Sequence, residues 1–267
     1  DDNASGVSGL LELAQKLSAN INYLKRSVLL VGFDAEEKGL LGSKHFIQSS
    51  PINLNNVISM INMDMIGRMS DSTYTVGGVG TSPSFKYLLD SLKQGRLFNL
   101  TMNSPGFGPS DHAPFYSNDI PVLFFFSGFH DDYHTPNDTW QKINLRGEKH
   151  ILDFIYDLVF YLSRAKERPV FQESGPKKNQ MNEIRNFKVT FGIMPSYGSA
   201  KVGLEVSSIS KKDGPAAKAG MKEGDVIKSI NNKPIKDIYE YMDRLNNINP
   251  GMTIPVVIER DGKIKTV

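Results

Sequence analysis

Apolar positions Val7, Leu10, Leu11, Leu13, Ala14 and Leu17 recur at near-helical spacing through residues 4–19, which predicts an amphipathic helix. Residues 27–34 form a continuous apolar run with β-branched positions and predict a buried strand. So do residues 57–64, VISMINMD, and residues 121–128, PVLFFFSG. Gly39 to Ser49 predicts a short helix, residues 82–95 another, and FNLTM from residue 98 a further strand. From Leu145 to Ser163 the stripe Ile151, Phe154, Ile155, Leu158, Val159 and Leu162 predicts a strongly amphipathic helix. Buried strands alternating with helices predict an α/β domain, its sheet mostly parallel or mixed and sandwiched by helices. In such sheets ligands bind beyond the carboxyl ends of the strands.

The pattern changes after residue 165. AKERPVFQESGPKKNQMNEIR is polar and rich in Lys, Glu and Pro, and residues 166–186 are predicted to be a linker. Short strands punctuated by Gly, Pro, Asn and Asp follow: KVTFGIM, GLEVSSI, DVIKSIN and TIPVVIERDGKIKTV. Two short helices are predicted among them, at 216–219 and 238–246. The chain thus divides into a larger α/β domain, residues 1–165, and a small β-rich domain, residues 187–267.

Composition narrows the chemistry. Cysteine is absent, which excludes disulfides, thiolate metal sites and a cysteine nucleophile. No apolar run approaches the ~18 residues of a membrane span. The net charge of +2 is unevenly spread: residues 1–165 hold 13 Lys and Arg against 17 Asp and Glu, the remainder 18 against 12. The lysines of the basic part are scattered rather than striped, which argues against nucleic-acid binding. The acidic part suits a site that collects cations.

Carboxylates stand where the predicted elements begin or end. Asp1 and Asp2 precede the first helix, Glu36 and Glu37 follow the first predicted strand, and Asp64 ends the second. His134 lies in DDYHTPNDT, just after PVLFFFSG. Taken alone, Asp2 fits a helix N-cap, and the two glutamates fit a solvated turn. Taken together, they can meet at the carboxyl edge of one sheet. Zinc accepts imidazole nitrogen and carboxylate oxygen and lowers the pKa of bound water to about 7. A second carboxylate outside the ligand set can then take a proton from that water.

DDNASG, FDAEEKGLLGS, INMDMIGR, PSDHAPF and YHTPNDT, in this order, resemble the co-catalytic zinc aminopeptidases of the bacterial leucyl aminopeptidase type. The resemblance covers residues 1 to about 165 and implies a zinc exopeptidase fold acting on peptides. It implies Asp2 as the aspartate bridging two zinc ions, Glu37 and His134 as ligands of one and Asp64 as a ligand of the other. Glu36 is implied as the general base. Tyr133 is implied as a donor to the oxyanion, because the alternative tyrosine position of the family is Phe107 here. Phe107, Ser110, Asp111 and His112 are implied to line the substrate pocket. A further zinc-binding histidine of the family lies upstream of the DDNASG segment, so this chain is expected to be N-terminally incomplete. On its own it is expected to hold one zinc or none and to be inactive.

The last ~80 residues, through GLEVSSI, GPAAKAGMKEGDVIKSINNKPI and IPVVIERDGK, resemble a PDZ domain of the bacterial, circularly permuted kind. Phe191, Gly192, Ile193 and Met194 match the loop whose backbone N–H groups hold a peptide's terminal carboxylate, and an extended ligand would add a strand beside it. The resemblance also implies an extracytoplasmic location. Two other readings stay open at this point: a glutaminyl cyclase or carboxypeptidase on the same scaffold, and a non-catalytic PDZ-bearing scaffold.

Overall fold

The computed structural model describes residues 1–177, 188–195, 202–236 and 238–267. Two compact units emerge, Asp1–Gly128 with Asp132–Lys178, and Phe129–Asp131 with Asn179–Val267.

The first unit is built on a four-stranded sheet of β1 (Met60–Met63), β2 (Thr73–Gly77), β3 (Asn99–Met102) and β4 (Val122–Phe126) in the order β1-β4-β2-β3. β1 runs parallel to β4 and β2 parallel to β3, but β2 and β4 are antiparallel. The sheet is therefore mixed. Its helices are α1 (Ala4–Ala19), α2 (Leu41–Gln48), α3 (Pro83–Lys93), α4 (His112–Ser117) and α5 (Leu145–Arg164). α5 buries Ile151, Phe154, Ile155, Leu158 and Leu162 in one core with Tyr74, Phe85, Leu89 and Phe125. Asn144 caps it by accepting from the Gly147 N–H at 2.9 Å.

Residues 27–34 depart from the expected buried strand. They take no place in the sheet, and Leu29 is 55% exposed. An apolar, β-branched run favours extended backbone, but a strand exists only where a neighbour takes up its N–H and C=O groups. Among the described residues no strand lies alongside it.

The predicted linker also differs over its first part. Residues 166–177 are strapped to the first unit by main-chain bonds: Gln172 N–H to Thr81 O at 2.8 Å and Gly106 N–H to Ser174 O at 2.9 Å. The Tyr116 hydroxyl accepts from Ser174 N–H at 2.8 Å and donates to Gly175 O at 2.7 Å. Gly106 makes this approach possible, because a Cβ there would stand 2.3 Å from Thr81 Cγ2 and 2.4 Å from the Tyr116 ring. The rest of the predicted linker, residues 178–186, lies outside the described residues.

The second unit is a six-stranded antiparallel sheet of β5 (Met194–Pro195), β6 (Leu204–Ser208), β7 (Val226–Ile230), β8 (Lys233–Pro234), β9 (Val256–Arg260) and β10 (Lys263–Thr266). Helices α6 (Pro215–Lys218) and α7 (Ile238–Asn246) accompany it. Of the predicted strand KVTFGIM only its last residue is in β5. The core gathers Phe191, Val206, Ile227, Ile230, Tyr241 and Ile258. Asp225 is fully buried against Arg260, which donates to both carboxylate oxygens at 2.6 and 2.7 Å.

Candidate active site

β1 and β4 run side by side in the same direction, Met63 opposite Phe125, so the loops at their carboxyl ends share one edge. Asp64 leaves β1 there, its N–H still bonded to Phe125 O at 3.2 Å. The loop after β4 carries Tyr133 and His134. The start of α1 is fastened to the same edge. Asn3, not Asp2, is the N-cap: its Oδ1 accepts from Gly6 N–H, and also from Met65 N–H, both at 3.1 Å. Its Nδ2 donates to Met63 O at 3.1 Å. Ser5 Oγ accepts from Ile66 N–H at 3.0 Å, and Asp1 Oδ1 from Gly67 N–H at 2.8 Å. With capping assigned to Asn3, the Asp2 side chain is left for other work.

Asp2, Glu37 and His134 each offer a ligand atom, and these atoms lie within 4.8 Å of one another. His134 Nε2 stands 3.1 Å from Asp2 Oδ2 and 3.8 Å from Glu37 Oε1. His134 has a left-handed backbone, φ 55°, and its ring stacks on Tyr133 with centroids 3.8 Å apart. Asp64, the fourth expected ligand, is not in this triplet. It sits deeper: Ser110 Oγ donates to Oδ2 at 2.8 Å, while Oδ1 is buried with no partner.

The electrostatics show a shortage of positive charge. Burial, with the added repulsion of Asp64, Asp111, Asp2 and Glu37, pushes Glu36 up to about 8. Burial likewise lifts Asp64 to about 6 against the opposing Ser110 bond, and lifts Asp2 although His134 counteracts it. Burial also raises Asp111, whose Oδ1 lacks a partner. Mixed oxygen and nitrogen donors, orphaned carboxylate oxygens and raised pKa values together fit a hard or borderline divalent cation.

The four expected pocket residues are all buried. Ser110 links Asp64 to Asn62, whose Nδ2 donates to Ser110 Oγ at 2.7 Å. His112 stacks on Phe124 at 4.6 Å, and its burial depresses its pKa to about 3. Its Nδ1 stands 3.4 Å from Asn62 Nδ2, beside the Asn62–Ser110–Asp64 chain of bonds. In the second unit, Phe191 and Ile193 are buried and Gly192 has φ 74°. The Gly192 N–H already donates to Thr190 Oγ1 at 3.1 Å, while Met194 pairs with Ser208 on the edge strand β5.

Sequence reasoning missed Asn3, Ser5, Asn62, Arg68 and Asp138 as parts of this edge. All five stand inside the motifs DDNASG, INMDMIGR and YHTPNDT, and Asn3 carried a further local signal, a capping residue directly before a helical stripe.

The Peptidase family M28 model matches residues 1–159, and a PDZ domain model matches residues 180–267. Aminopeptidase YwaD of Bacillus subtilis is 26% identical over 179 residues, 63% of this chain and 39% of that protein. The structure of BSAP, a zinc aminopeptidase from Bacillus subtilis, superimposes with a TM-score of 0.51 at 26% identity, covering 66% of this chain and 45% of the other. Serine endoprotease DegS of Escherichia coli is 46% identical over 65 residues, 24% of this chain and 18% of DegS. The chain thus spans less than half the length of each of these relatives. With a family model covering more than half of its residues, and the mixed sheet and helices found here, the chain belongs to peptidase family M28 and carries a PDZ domain after its peptidase part.

Proposed function

We propose that this chain forms the metal-binding core of a zinc-dependent aminopeptidase that hydrolyses N-terminal residues from peptides. The observation that carries this reading is the convergence of Asp2, Glu37 and His134 beside a second, half-buried glutamate, Glu36. Asp2, Glu37 and His134 would hold one zinc ion. Asp64, with Asp2, would serve a second ion in the two-metal form. Zinc, when bound, supplies a Lewis acid and a water of lowered pKa.

The protein residues do the rest. Glu36 takes the proton of the attacking water and passes it to the leaving amine nitrogen. Burial, with four neighbouring carboxylates, holds Glu36 up to about 8; positive charge beside Glu37 would offset the carboxylates' part of that rise. Tyr133 is the candidate donor to the oxyanion of the substrate carbonyl. Ser110 fixes the rotamer of Asp64. The PDZ unit would take a peptide C-terminus at the edge strand β5, and the protein would work outside the cytoplasm. Among the described residues no helix is long and apolar enough to cross a membrane.

The test is Glu36→Gln in the full-length protein. Zinc should remain bound while turnover of aminoacyl-amides falls by about 10²–10⁴-fold. Unchanged turnover would remove Glu36 from the mechanism. Activity on N-terminal Gln peptides with cyclised products, or on C-terminal residues, would replace the aminopeptidase reading with a cyclase or a carboxypeptidase. Zinc uptake of zero would favour the scaffold.

A further inference from the structure

Four chain segments supply the metal-facing groups: the start of α1, the turn before α2, the segment after β1 and the loop after β4. One side chain touches or reaches three of them, all but the turn. Arg68 stands on the segment after β1, and its N–H donates to Ser127 Oγ at the end of β4 at 3.1 Å. Its guanidinium forks. Nη2 donates to Asp132 Oδ2 at 3.0 Å and Nη1 to Asp138 Oδ1 at 3.2 Å. These two aspartates bracket His134 in the sequence. The second oxygen of Asp138 accepts from the Asp2 N–H at 3.0 Å and from the Asp1 nitrogen at 2.7 Å. Asp132 is held further by Lys142 at 2.5 Å, and its carbonyl accepts from Thr135 N–H and Oγ1 at 3.0 and 2.7 Å.

All three members of the fork are largely withdrawn from water: the Arg68, Asp132 and Asp138 side chains are 16%, 17% and 8% exposed. That separates them from ordinary surface ion pairs, which contribute little. Asp138 works in two directions, one oxygen to the guanidinium and the other to the main chain of Asp2. The path from Asp2 through Asp138, Arg68 and Asp132 to the His134 turn is therefore continuous, hydrogen bond by hydrogen bond.

We infer that Arg68 is a positioning residue for the metal centre, its forked guanidinium setting the separation of Asp2 and His134 through Asp138 and Asp132. The inference rests on the zinc-centre reading. Nothing in Arg68 touches the ligand atoms: it acts on the backbones that carry them. A lysine offers one point of charge and cannot span both aspartates as the planar fork does. The device thus depends on the shape of the side chain as well as its charge.

The test measures zinc affinity, with zinc alone as the probe, by competition against a chromogenic chelator. Parent, Arg68→Lys, Arg68→Met and Asp132→Asn proteins are compared. Circular dichroism and thermal unfolding of the metal-free proteins report whether each is folded. Loss of a group that orients metal ligands weakens metal binding by about 10–100-fold, and that is the expected change for both Arg68 variants among folded molecules. Asp132→Asn, which weakens one arm only, should fall between them and the parent. A merely structural role predicts lower melting temperatures with unchanged zinc affinity, and that result overturns the inference. So does Arg68→Lys binding zinc like the parent, since charge alone would then suffice. If Arg68→Met fails to fold, Arg68→Lys and Asp132→Asn decide. Absence of zinc binding by the parent overturns both this inference and the zinc-centre reading, whereas parent-like binding by the folded variants overturns this inference alone.

Discussion

Replacing Glu36 by glutamine should stabilise the metal-free protein at high pH. The carboxyl of Glu36 is pushed from 4.5 to about 8 by burial and by four neighbouring carboxylates. Because the folded pKa lies above the unfolded one, the folded chain holds that proton more tightly. The associated stability is complete below pH about 4.5 and is lost as pH rises through about 8. The whole shift would be worth about 5 kcal/mol at roughly 1.4 kcal/mol per pKa unit. Glu36 is only half-buried, and solvent screening reduces this to about 1–2 kcal/mol. Glutamine resembles the protonated acid in shape and never ionises. Its advantage should therefore be near zero at pH 4 and about 1–2 kcal/mol at pH 9. The assay is urea unfolding in excess chelator at pH 4, 6 and 9, followed by the fluorescence of the only tryptophan, Trp140, in the first unit. An advantage that does not grow with pH, or a glutamine protein less stable than the parent at pH 9, would refute the electrostatic account of this site.

Three further substitutions test the packing. Ser110→Ala removes a buried donor to Asp64 and an acceptor for Asn62; denaturant unfolding of the metal-free protein should show a loss of about 1–3 kcal/mol. The same change should lift Asp64 further above its value of about 6, read by carboxyl titration in isotope-edited NMR. Gly106→Ala drives a methyl into Thr81 and the Tyr116 ring; calorimetry should show the first unit losing about 1–3 kcal/mol with the PDZ transition unmoved. Asp225→Ala strips the buried partner from Arg260; the second unit should lose about 3 kcal/mol, while zinc uptake at the first stays as in the parent.

The elements that the sequence announced are those with a long or bilateral apolar signature. α1, α5, β1 and β4 are each defined by their own side chains, and each was predicted near its observed place. β2, Thr73–Gly77, was missed because it is short and begins directly after Asp71 and Ser72, both at positive φ. Its signal was the alternation of buried Tyr74 and Val76 with half-buried threonines, a period of two over too few residues. α4 has six residues with Pro114 inside, too few to show a helical period. Residues 27–34 show the opposite failure: the local preference is right for an extended chain, but pairing is a property of neighbours. The site divides in the same way. Asp2, Glu37 and His134 could be placed because they stand at element ends and inside motifs. Arg68 also stands inside a motif, but its role could not be placed, because its partners Asp132 and Asp138 lie on another loop and no spacing rule connects them.

The divergence of the Glu36 and Glu37 side chains is an effect of backbone geometry. Ala35 and Leu40 both lie at positive φ, 53° and 58°, with Gly39 at 116°. The Glu36 carbonyl accepts from the N–H groups of Gly39 and Leu40 at 2.9 and 2.7 Å, and Gly42 N–H closes the turn on Asp34 O at 3.0 Å. A Cβ at Gly42 would stand 2.7 Å from that oxygen, so the turn can be this tight only around glycine. In a turn wound so closely, consecutive side chains diverge. Glu37 stays in water, 65% exposed, within reach of His134, whereas Glu36 is turned toward Asp64 and Asp111 and loses solvent. Two chemically identical residues therefore meet different surroundings: Glu37 faces water, while burial and neighbouring carboxylates push Glu36 up to about 8. Such unequal exposure suits the proposed division of labour, Glu37 to metal and Glu36 to water. A straight strand end would also separate the two side chains, one to each face. It would place only one of them at this edge, so the knot from Ala35 to Gly42, rather than the apolar run before it, is the feature that makes the pair usable.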